Sequence, residues 1–343
     1  MDLSAAFDTV DHPILLCRLQ TSYGLGGVVH AWFRSYLTNR TQYVRCGEST
    51  STPLSVLFGV PQGSVLGPIL FLLYTADLVR LVESFGLEPH LYADDTQIYG
   101  SCRPGATANL QSRVADCIVA VADWMRSNRL QLNTDKTEFL WCTSARRQHQ
   151  LPTDPLVVGA DSLAPASVVR DLGIYVDSDL SMRTHVLRTA GRCFAALRQI
   201  RSIRRSVTRP VLESLVVALV LSRLDYGCAT LAGVPSQLLD RLQSAQNAAA
   251  RLIFGASRHV HITPLLHSLH WLPVRERIAF RLAVLVGRRT QRATIGDRAF
   301  AAAAPAVWNS LPEDVRSSTS LPVFRHRLKT ELYRRSLGPR HSV

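Results

Sequence analysis

Two adjacent acidic residues interrupt an apolar, β-prone stretch of the chain. Asp94 and Asp95 lie inside the run 91–99, and Gly100 closes that run. This pattern predicts a tight β-hairpin that holds both acids at its tip. Neighbouring carboxylates repel each other, which indicates a cation opposite them, and Mg²⁺ prefers carboxylate oxygens. Because Asp-Asp is also ordinary turn chemistry, this stretch alone leaves both interpretations open.

Two other stretches contain residue types that suit such a site. Asp2 is a third acid, followed five residues later by the ring of Phe7, and a Pro/Gly-rich turn with Gln62 and Gly63 enters an apolar stretch. These three stretches, in this order, resemble motifs A, B and C of reverse transcriptases. The run 6–13 and the C-terminal half resemble the non-LTR (LINE-type) retrotransposon enzymes in particular. The resemblance covers nearly the whole chain.

The resemblance implies an α+β fold and the activity of an RNA-directed DNA polymerase. Residues 1–182 would form the palm, an antiparallel sheet with packed helices that carries motifs A to E. Residues 183–257 would form a helical thumb, and 258–343 a basic helical C-terminal region. The partners would be an RNA template, a DNA primer and a dNTP, and the reaction would transfer a nucleotide to the primer 3′-hydroxyl.

The resemblance also assigns catalytic and metal-binding residues. Asp2, Asp94 and Asp95 would hold two Mg²⁺ ions, with Mn²⁺ as an alternative, for in-line displacement at the triphosphate. Lys136, in a run that resembles motif D, would protonate the departing pyrophosphate. A solvated surface lysine is an equally good interpretation of Lys136.

Contacts to nucleotide, template and primer follow from the same resemblance. Phe7 would lie under the sugar and exclude a 2′-hydroxyl. Gln62 and Gly63 would contact the template–nucleotide pair, where glycine permits a close backbone approach. Leu172 and Gly173 lie in a run that resembles motif E, the primer grip. Core packing for Phe7 and an ordinary edge hairpin around Leu172 are the alternatives.

The remaining pattern predicts the secondary structure around these residues. Asp8 and Asp11 are expected to cap, or to pair with charges of, the helix that follows them. Ser64 is expected to cap the helix after the Pro/Gly turn. Strands are predicted over 42–46, 54–58 and 139–142, and helices over 110–125, 184–202, 209–224 and 236–254.

Charge is distributed unevenly along the chain, whose formal net charge is +13. Residues 1–182 carry 13 basic and 18 acidic side chains, whereas 183–343 carry 26 and 8. A basic region of this size commonly binds nucleic acid. The predicted thumb contains an arginine cluster suited to sequence-independent phosphate contacts, with a solvated basic face as the alternative. Its members are Arg198, Arg201, Arg204, Arg205 and Arg209.

Composition argues against several other classes of protein. The seven cysteines are scattered singly without a Cys-x-x-Cys pair, which argues against a disulfide framework or a zinc ribbon. The longest apolar run, 215–221, is far shorter than the ~20 residues that span a bilayer, so no membrane partner is expected. An intracellular location, in a nuclear or cytoplasmic ribonucleoprotein, is predicted.

The start of the chain and one connector differ from the family pattern. Only Met1 precedes Asp2, so the resemblance predicts a palm and thumb fragment without fingers or endonuclease. A short connector between Val286 and Thr294 predicts an internal deletion. Two alternatives stay open. One is a catalytically inactive remnant that only binds nucleic acid; the other is a viral-type RNA-dependent RNA polymerase, against which the residues at the sugar position and before the acid pair argue.

Overall fold

A computed structural model describes residues 1–158, 161–290 and 303–337 of the 343-residue chain. These residues form helices and small antiparallel sheets, which confirms the predicted mixture of helix and strand. The chain divides into two compact units, Met1–Val169 and Arg170–Val343. The three-part division predicted from the sequence stays a prediction. Within the described ranges, no helix is both long and apolar enough to cross a membrane.

The first unit alternates short strands with helices. Its strands have two to five residues each and form sheets of two strands. The elements in chain order are β1 (Asp2–Leu3), α1 (His12–Thr21), α2 (Gly27–Leu37), β2 (Arg40–Gln42), β3 (Arg45–Cys46), β4 (Ser49–Thr50), β5 (Leu54–Val56), α3 (Leu66–Thr75), α4 (Asp77–Ser84), β6 (Glu88–Tyr92), β7 (Asp95–Tyr99), α5 (Thr107–Ser127), β8 (Leu132–Asn133), β9 (Leu156–Val158) and β10 (Asp161–Leu163).

Local sequence explains the start of two helices and the buried face of a third. Asp11 Oδ1 accepts the Ile14 N–H at 3.0 Å and so caps α1, as predicted. Ser64 Oγ accepts the Gly67 N–H at 2.9 Å at the start of α3, although the N-cap position is Val65, one residue after the predicted one. The apolar stripe predicted for α5 faces the core, with Val121 fully buried.

The strands before the Pro/Gly turn form a ribbon with two separate pairings. β2 pairs with β5, and β3 pairs with β4, so the predicted strand 42–46 is divided in two. The strand predicted over 139–142 is wrong, because the backbone pairing described there is a single bridge between Phe139 and Pro165. Proline has no N–H with which to continue a ladder, so the pairing does not extend.

The core of the first unit lies between α1, α3, α4 and α5. Phe71 and Tyr74 of α3 are among its largest fully buried side chains. Arg18 of α1 donates to the Tyr74 carbonyl and, at 2.8 Å, to Asn128 Oδ1. Tyr74 Oη donates to the Asn128 carbonyl at 2.5 Å. This polar network fixes three helices against one another at the centre of the unit.

The second unit is mainly helical and begins within a hairpin, whose first strand spans the boundary between the units. The elements from this hairpin onward are β11 (Val168–Asp171), β12 (Ile174–Asp177), α6 (Arg183–Ile203), α7 (Arg209–Val216), α8 (Ser222–Asp225), α9 (Ser236–Phe254), α10 (Ile262–Ser268), α11 (Val274–Thr290), α12 (Ala303–Asn309), α13 (Glu313–Arg316) and α14 (Leu321–Leu337). The π-helical turn Val217–Leu221 joins α7 to α8. The three helices predicted between 184 and 254 are confirmed.

Long helices bury the apolar side chains of the second unit. α6, α7, α9 and α11 share one cluster, in which Leu242 is almost fully buried. Asp225 and Arg277 form a two-point ion pair at 2.8 and 2.7 Å, with side chains only 24% and 17% exposed. A smaller cluster joins α11, α13 and α14. The deletion predicted between Val286 and Thr294 lies partly outside the described residues.

Candidate functional site

The two adjacent acids lie at a hairpin turn, as predicted. β6 and β7 pair antiparallel with Tyr92 opposite Asp95, and Ala93 and Asp94 form the two-residue turn. Ala93 has a φ of 54°, in the left-handed region that favours glycine. Both acidic residues are half-buried. The hairpin therefore holds two carboxylates on consecutive residues beside a strained backbone position.

Strand β1 lies between this hairpin and β8, which places Asp2 beside the acid pair. Met1 and Thr96 exchange two backbone hydrogen bonds, with N···O distances of 2.9 and 3.1 Å. Such an exchange defines an antiparallel pair, so the next residues along, Asp2 and Asp95, are opposite each other. At its other edge, Asp2 pairs with Asn133 of β8. Two acids that are far apart in sequence thus lie opposite each other on neighbouring backbone segments.

The donor chemistry of the acid pair fits a hard divalent cation, because Mg²⁺ selects carboxylate oxygens. Asp94 makes no hydrogen bond or ion pair with any residue that the structure describes, although it is half-buried. The Asp2 side chain, which would supply a third carboxylate, lies outside the described part of the structure. Among the side chains that are described, no group of three metal-binding residues is found. Metal binding by Asp2, Asp94 and Asp95 therefore stays a prediction.

Phe7 packs in the core of the first unit and also borders the Pro/Gly turn. Its ring centroid lies 4.7 Å from that of Phe71, at an interplanar angle of 35°. Its carbonyl oxygen accepts the Val60 N–H at 2.8 Å. Core packing is therefore confirmed for Phe7. The ring is only half-buried, and its contact with a sugar stays a prediction.

Gln62 and Gly63 are both exposed in the turn. Gln62 Nε2 donates to Asp8 Oδ1 at 2.9 Å. The prediction that Asp8 caps the next helix is therefore wrong: Asp11 caps α1, and Asp8 bonds to the turn instead. Gly63 has a φ of +78°, and nothing lies within 4 Å of a β-carbon added to it. This open space suits a template or nucleotide contact, which stays a prediction.

Two residues for which no role was predicted join the first acidic stretch to the Pro/Gly turn. Gly59 has a φ of +88°, and a β-carbon added to it would lie 2.9 Å from both the Asp8 α-carbon and the Phe7 carbonyl oxygen. The Nε2 of buried His12 lies 2.7 Å from the Gly59 carbonyl oxygen. The glycine of a Gly-x-Pro turn is a usable signal for this contact. His12 carries no such signal, since histidine is ordinary at the start of a helix.

Lys136 is an exposed residue of the 3₁₀ turn Thr134–Lys136, immediately after β8. Buried Thr137 holds this turn, because its hydroxyl donates to the Asn133 carbonyl at 2.9 Å. Since Asn133 pairs with Asp2, Lys136 follows the strand that lies beside the first acid. Its role in protonating pyrophosphate stays a prediction.

The predicted primer-grip residues form the turn of the β11–β12 hairpin. Leu172 and Gly173 have φ values of 43° and 84°, the two positive angles that a type I′ turn requires. Tyr226 holds this turn: its hydroxyl donates to the Leu172 carbonyl, and its ring lies 3.2 Å from a β-carbon added to Gly173. No motif marked Tyr226, which lies 54 residues beyond Leu172.

The arginine cluster predicted from the sequence divides into two groups. Arg209 pairs with Glu213 at 2.9 Å, and its guanidinium lies 4.3 Å from the centroid of the Phe254 ring. Arg204 packs against Gly255 at the end of α9. These two side chains thus stabilise the unit. All five members are exposed, and three of them have no such contact within the described part of the chain: Arg198, Arg201 and Arg205.

Residues 1–167 match the family described as reverse transcriptase (RNA-dependent DNA polymerase). The matched range contains the acid hairpin, β1 and the Pro/Gly turn. This matched part of the chain belongs to the reverse transcriptase family, as the three motifs predicted.

Named relatives come from non-LTR retrotransposons, which confirms the predicted group. The probable RNA-directed DNA polymerase from transposon BS of Drosophila melanogaster is 29% identical over 289 residues, which are 81% of this chain and 31% of that protein. The corresponding protein of the X-element, from the same organism, is 28% identical and covers 81% and 30%. The RNA-directed DNA polymerase from mobile element jockey of Drosophila funebris is 28% identical over 54% of this chain and 20% of that protein. The chain spans less than a third of the length of these relatives.

Proposed function

We propose that this chain catalyses RNA-directed DNA synthesis for a non-LTR retrotransposon. The observation that carries the proposal is the register of β1 against β7, which puts Asp2 opposite Asp95 and next to the turn that contains Asp94. A backbone arrangement that gathers three acids is what nucleotidyl transfer with divalent ions requires. The substrates would be an RNA template, a DNA primer and a dNTP.

In this proposal, the first unit is the palm and the second unit contains the thumb. The two-stranded pairings β1–β8 and β6–β7, joined by the hydrogen bonds between Met1 and Thr96, and the helices packed in the same core support the palm assignment. The helices α6, α7 and α9 form one apolar cluster in the basic half of the chain, which supports a thumb that holds nucleic acid. A protein that binds an RNA template would reside in an intracellular ribonucleoprotein, nuclear or cytoplasmic.

The carboxylates of Asp2, Asp94 and Asp95 would hold two Mg²⁺ ions, or Mn²⁺, whose chemistry is to activate the primer 3′-hydroxyl and to stabilise charge on the triphosphate oxygens. The Asp94 carboxylate has no other bond within the described part of the chain, so it is available as a ligand. Lys136 would give a proton to the departing pyrophosphate.

The remaining residues would position the substrates. Phe7 would face the sugar, and its packing against Phe71 would keep the ring rigid enough to exclude a 2′-hydroxyl. Gln62 and Gly63 would contact the template–nucleotide pair from the exposed turn. The turn of Leu172 and Gly173 would hold the primer end.

Primer extension on poly(rA)/oligo(dT) with Mg²⁺ and dTTP tests the proposal. The chain is compared with Asp94→Asn/Asp95→Asn, which keeps the size of both side chains and removes their charge. Asp116→Asn, an exposed acid of α5, is the matched control. We expect extension by the chain and by the control, and a loss of at least about 1,000-fold in the double variant, since several kcal/mol of charge stabilisation is removed.

The opposite outcome is equally informative. If no form extends the primer while all forms bind RNA, the chain is a remnant that only binds nucleic acid, and the proposed activity is refuted. If the double variant extends the primer as well as the control does, these two acids are not the metal ligands.

A further inference from the structure

Three arginine side chains converge on Tyr175 in the second unit. The Arg188 guanidinium carbon lies 4.4 Å from the centroid of the Tyr175 ring, and those of Arg170 and Arg192 each lie 5.9 Å from it. Arg192 Nη2 also donates to the phenol oxygen at 3.2 Å. The Tyr175 side chain is buried, with only 8% of its surface exposed, whereas the three arginines are exposed. A shielded phenol thus lies beneath three cationic groups.

Three separate elements build this cluster, so its geometry is set by the fold. Arg170 is on β11, Tyr175 is on β12, and Arg188 and Arg192 are one turn apart on α6. The backbone at two of these positions is held independently. His185 Nδ1 accepts the Tyr175 N–H at 3.4 Å, and Arg223 Nη1 donates to the Arg192 carbonyl at 3.2 Å.

No carboxylate in the described part of the chain forms an ion pair with any of these three arginines. Two nearby acids have other partners. Asp177, on the same strand as Tyr175, is buried and accepts the Thr184 N–H at 3.1 Å. Asp179 accepts the Ser181 N–H at 3.0 Å. Within the described part of the chain, no ion pair therefore neutralises these three arginines.

We propose that Arg170, Arg188 and Arg192, arranged around Tyr175, form a binding site for one phosphate group of a nucleic-acid backbone. A guanidinium offers a planar fork of N–H donors that matches phosphate oxygens, and several forks around one point favour an oxyanion. This proposal rests on the proposed function only for the identity of the partner, which is nucleic acid. It is separate from the exposed residues Arg198 and Arg201, which lie further along α6 and do not converge on one group.

The acidity of the phenol is consistent with such a site and provides a probe of it. The nearby guanidinium of Arg188 is the main cause that lowers the pKa of Tyr175, and Arg192 lowers it further, while burial opposes them. A bound phosphate would take up the arginine donors and neutralise their charge. The pKa of Tyr175 would then rise on binding.

Binding of an RNA–DNA primer–template, measured by fluorescence anisotropy over a range of salt concentrations, tests the site. Arg188→Gln/Arg192→Gln is compared with Arg198→Gln/Arg201→Gln, which removes the same charge from exposed positions of the same helix. We expect the first pair to weaken binding about tenfold more than the second. We also expect Arg188→Gln/Arg192→Gln to reduce the slope of log K, the binding constant, against log salt concentration by about 1 relative to the unchanged chain. This is the value for one lost phosphate contact.

Equal effects of the two pairs would overturn the site, because generic attraction to a basic helix would then explain both. Arg188→Lys/Arg192→Lys keeps the charge but not the fork, and we expect it to recover only part of the affinity. Circular dichroism establishes that each variant is folded. Because binding is measured without catalysis, failure of primer extension does not affect this result.

Nuclear magnetic resonance of ¹³Cζ-labelled tyrosine, with Tyr175→Phe to assign the signal, distinguishes the sources of phosphate. A rise in the Tyr175 pKa with the primer–template, and none with inorganic phosphate alone, supports a backbone site. A rise with inorganic phosphate but not with nucleic acid overturns the proposed partner and leaves a site for free phosphate. No change with either ligand overturns the site itself.

Discussion

The two units of this chain differ in charge and in how they bring functional residues together. In the first, acidic, half of the chain, short strands place Asp2 opposite Asp95, and the positive φ angles of Ala93 and Gly59 lie beside the site. In the second, basic, half, long helices bury an apolar core and carry arginines on their surface. Strand register needs exact backbone pairing, whereas a helix spaces its side chains locally. The first unit should therefore be more sensitive to backbone changes, and the second to changes in buried charge.

The largest effect is expected from Gly59→Ala. The added β-carbon would lie 2.9 Å from backbone atoms of Asp8 and Phe7, at a φ of +88°. We expect a loss of about 3 kcal/mol in the unfolding free energy of the first unit, from the left-handed strain and the steric overlap together. Hydrogen–deuterium exchange followed by mass spectrometry reports each unit separately.

Gly63→Ala is the matched control for that change. Gly63 also has a positive φ, but the space around it is open. Only the strain of about 1 kcal/mol should appear. Equal losses in the two variants would show that the close contact at Gly59 does not limit stability.

A smaller loss is expected in the second unit from Asp225→Asn. The change removes the charge that pairs with Arg277 at 2.7 Å and leaves a mostly buried guanidinium without its partner charge. We expect a cost of about 2 kcal/mol, measured by urea unfolding. Asp240→Asn is the control, because its ion pair with Arg275 is 3.7 Å long and exposed, which predicts about 0.5 kcal/mol or less. A similar cost for both would contradict a special role for the buried pair.

Acidification should weaken the second unit through His185. Burial is the main cause that lowers the pKa of this histidine, the charge of Arg192 lowers it further, and Asp177 opposes both. As pH falls below about 6.5, the unfolded state therefore takes up the proton first, and stability falls by at most about 1.4 kcal/mol per pH unit.

Urea unfolding at several pH values between about 7.5 and 5.5 measures this slope. In His185→Asn, whose amide oxygen can accept the Tyr175 N–H in place of Nδ1, the contribution of this residue should disappear. An unchanged slope in that variant would show that other groups cause the pH dependence.

The smallest effect is a gain, expected from Ala93→Gly. Glycine adopts the φ of 54° at this turn without strain but has more freedom in the unfolded chain. We expect the first unit to gain about 0.5 kcal/mol, measured by hydrogen exchange of β6 and β7. Ala195→Gly, at an exposed position of α6, should instead destabilise by about 1 kcal/mol. A loss in Ala93→Gly would mean that the left-handed backbone is not strained.

Elements with a strong local pattern could be predicted from the sequence. The acid hairpin, the amphipathic helix α5 and the three long helices of the second unit are confirmed. Each depends on a repeat of two or 3.6 residues, or on turn chemistry, within a short window. The strand predicted over 139–142 was wrong because it required a distant partner strand, and a proline stands at the point of pairing.

The candidate site could be predicted only in part, because some of its contacts also join residues that are distant in sequence. Its acids were marked by their own motifs, and so were Gln62 and Gly63. Two residues that hold neighbouring backbone segments had no predicted role. His12 contacts Gly59, which is 47 positions away in sequence, and Tyr226 holds Leu172, which is 54 positions away. Such contacts leave no periodic signal, because the two partners are adjacent only after the chain has folded.

Sequence by itself determined the family of this protein, its acid pair, its helical second half and the separation of acidic from basic residues. Only the tertiary structure decided which residues meet. It set Asp2 opposite Asp95, paired Arg209 with Glu213, packed Arg204 against Gly255, and gathered three other arginines around Tyr175. The physical reason is that local patterns select a backbone conformation, whereas register and packing between distant segments select the partners.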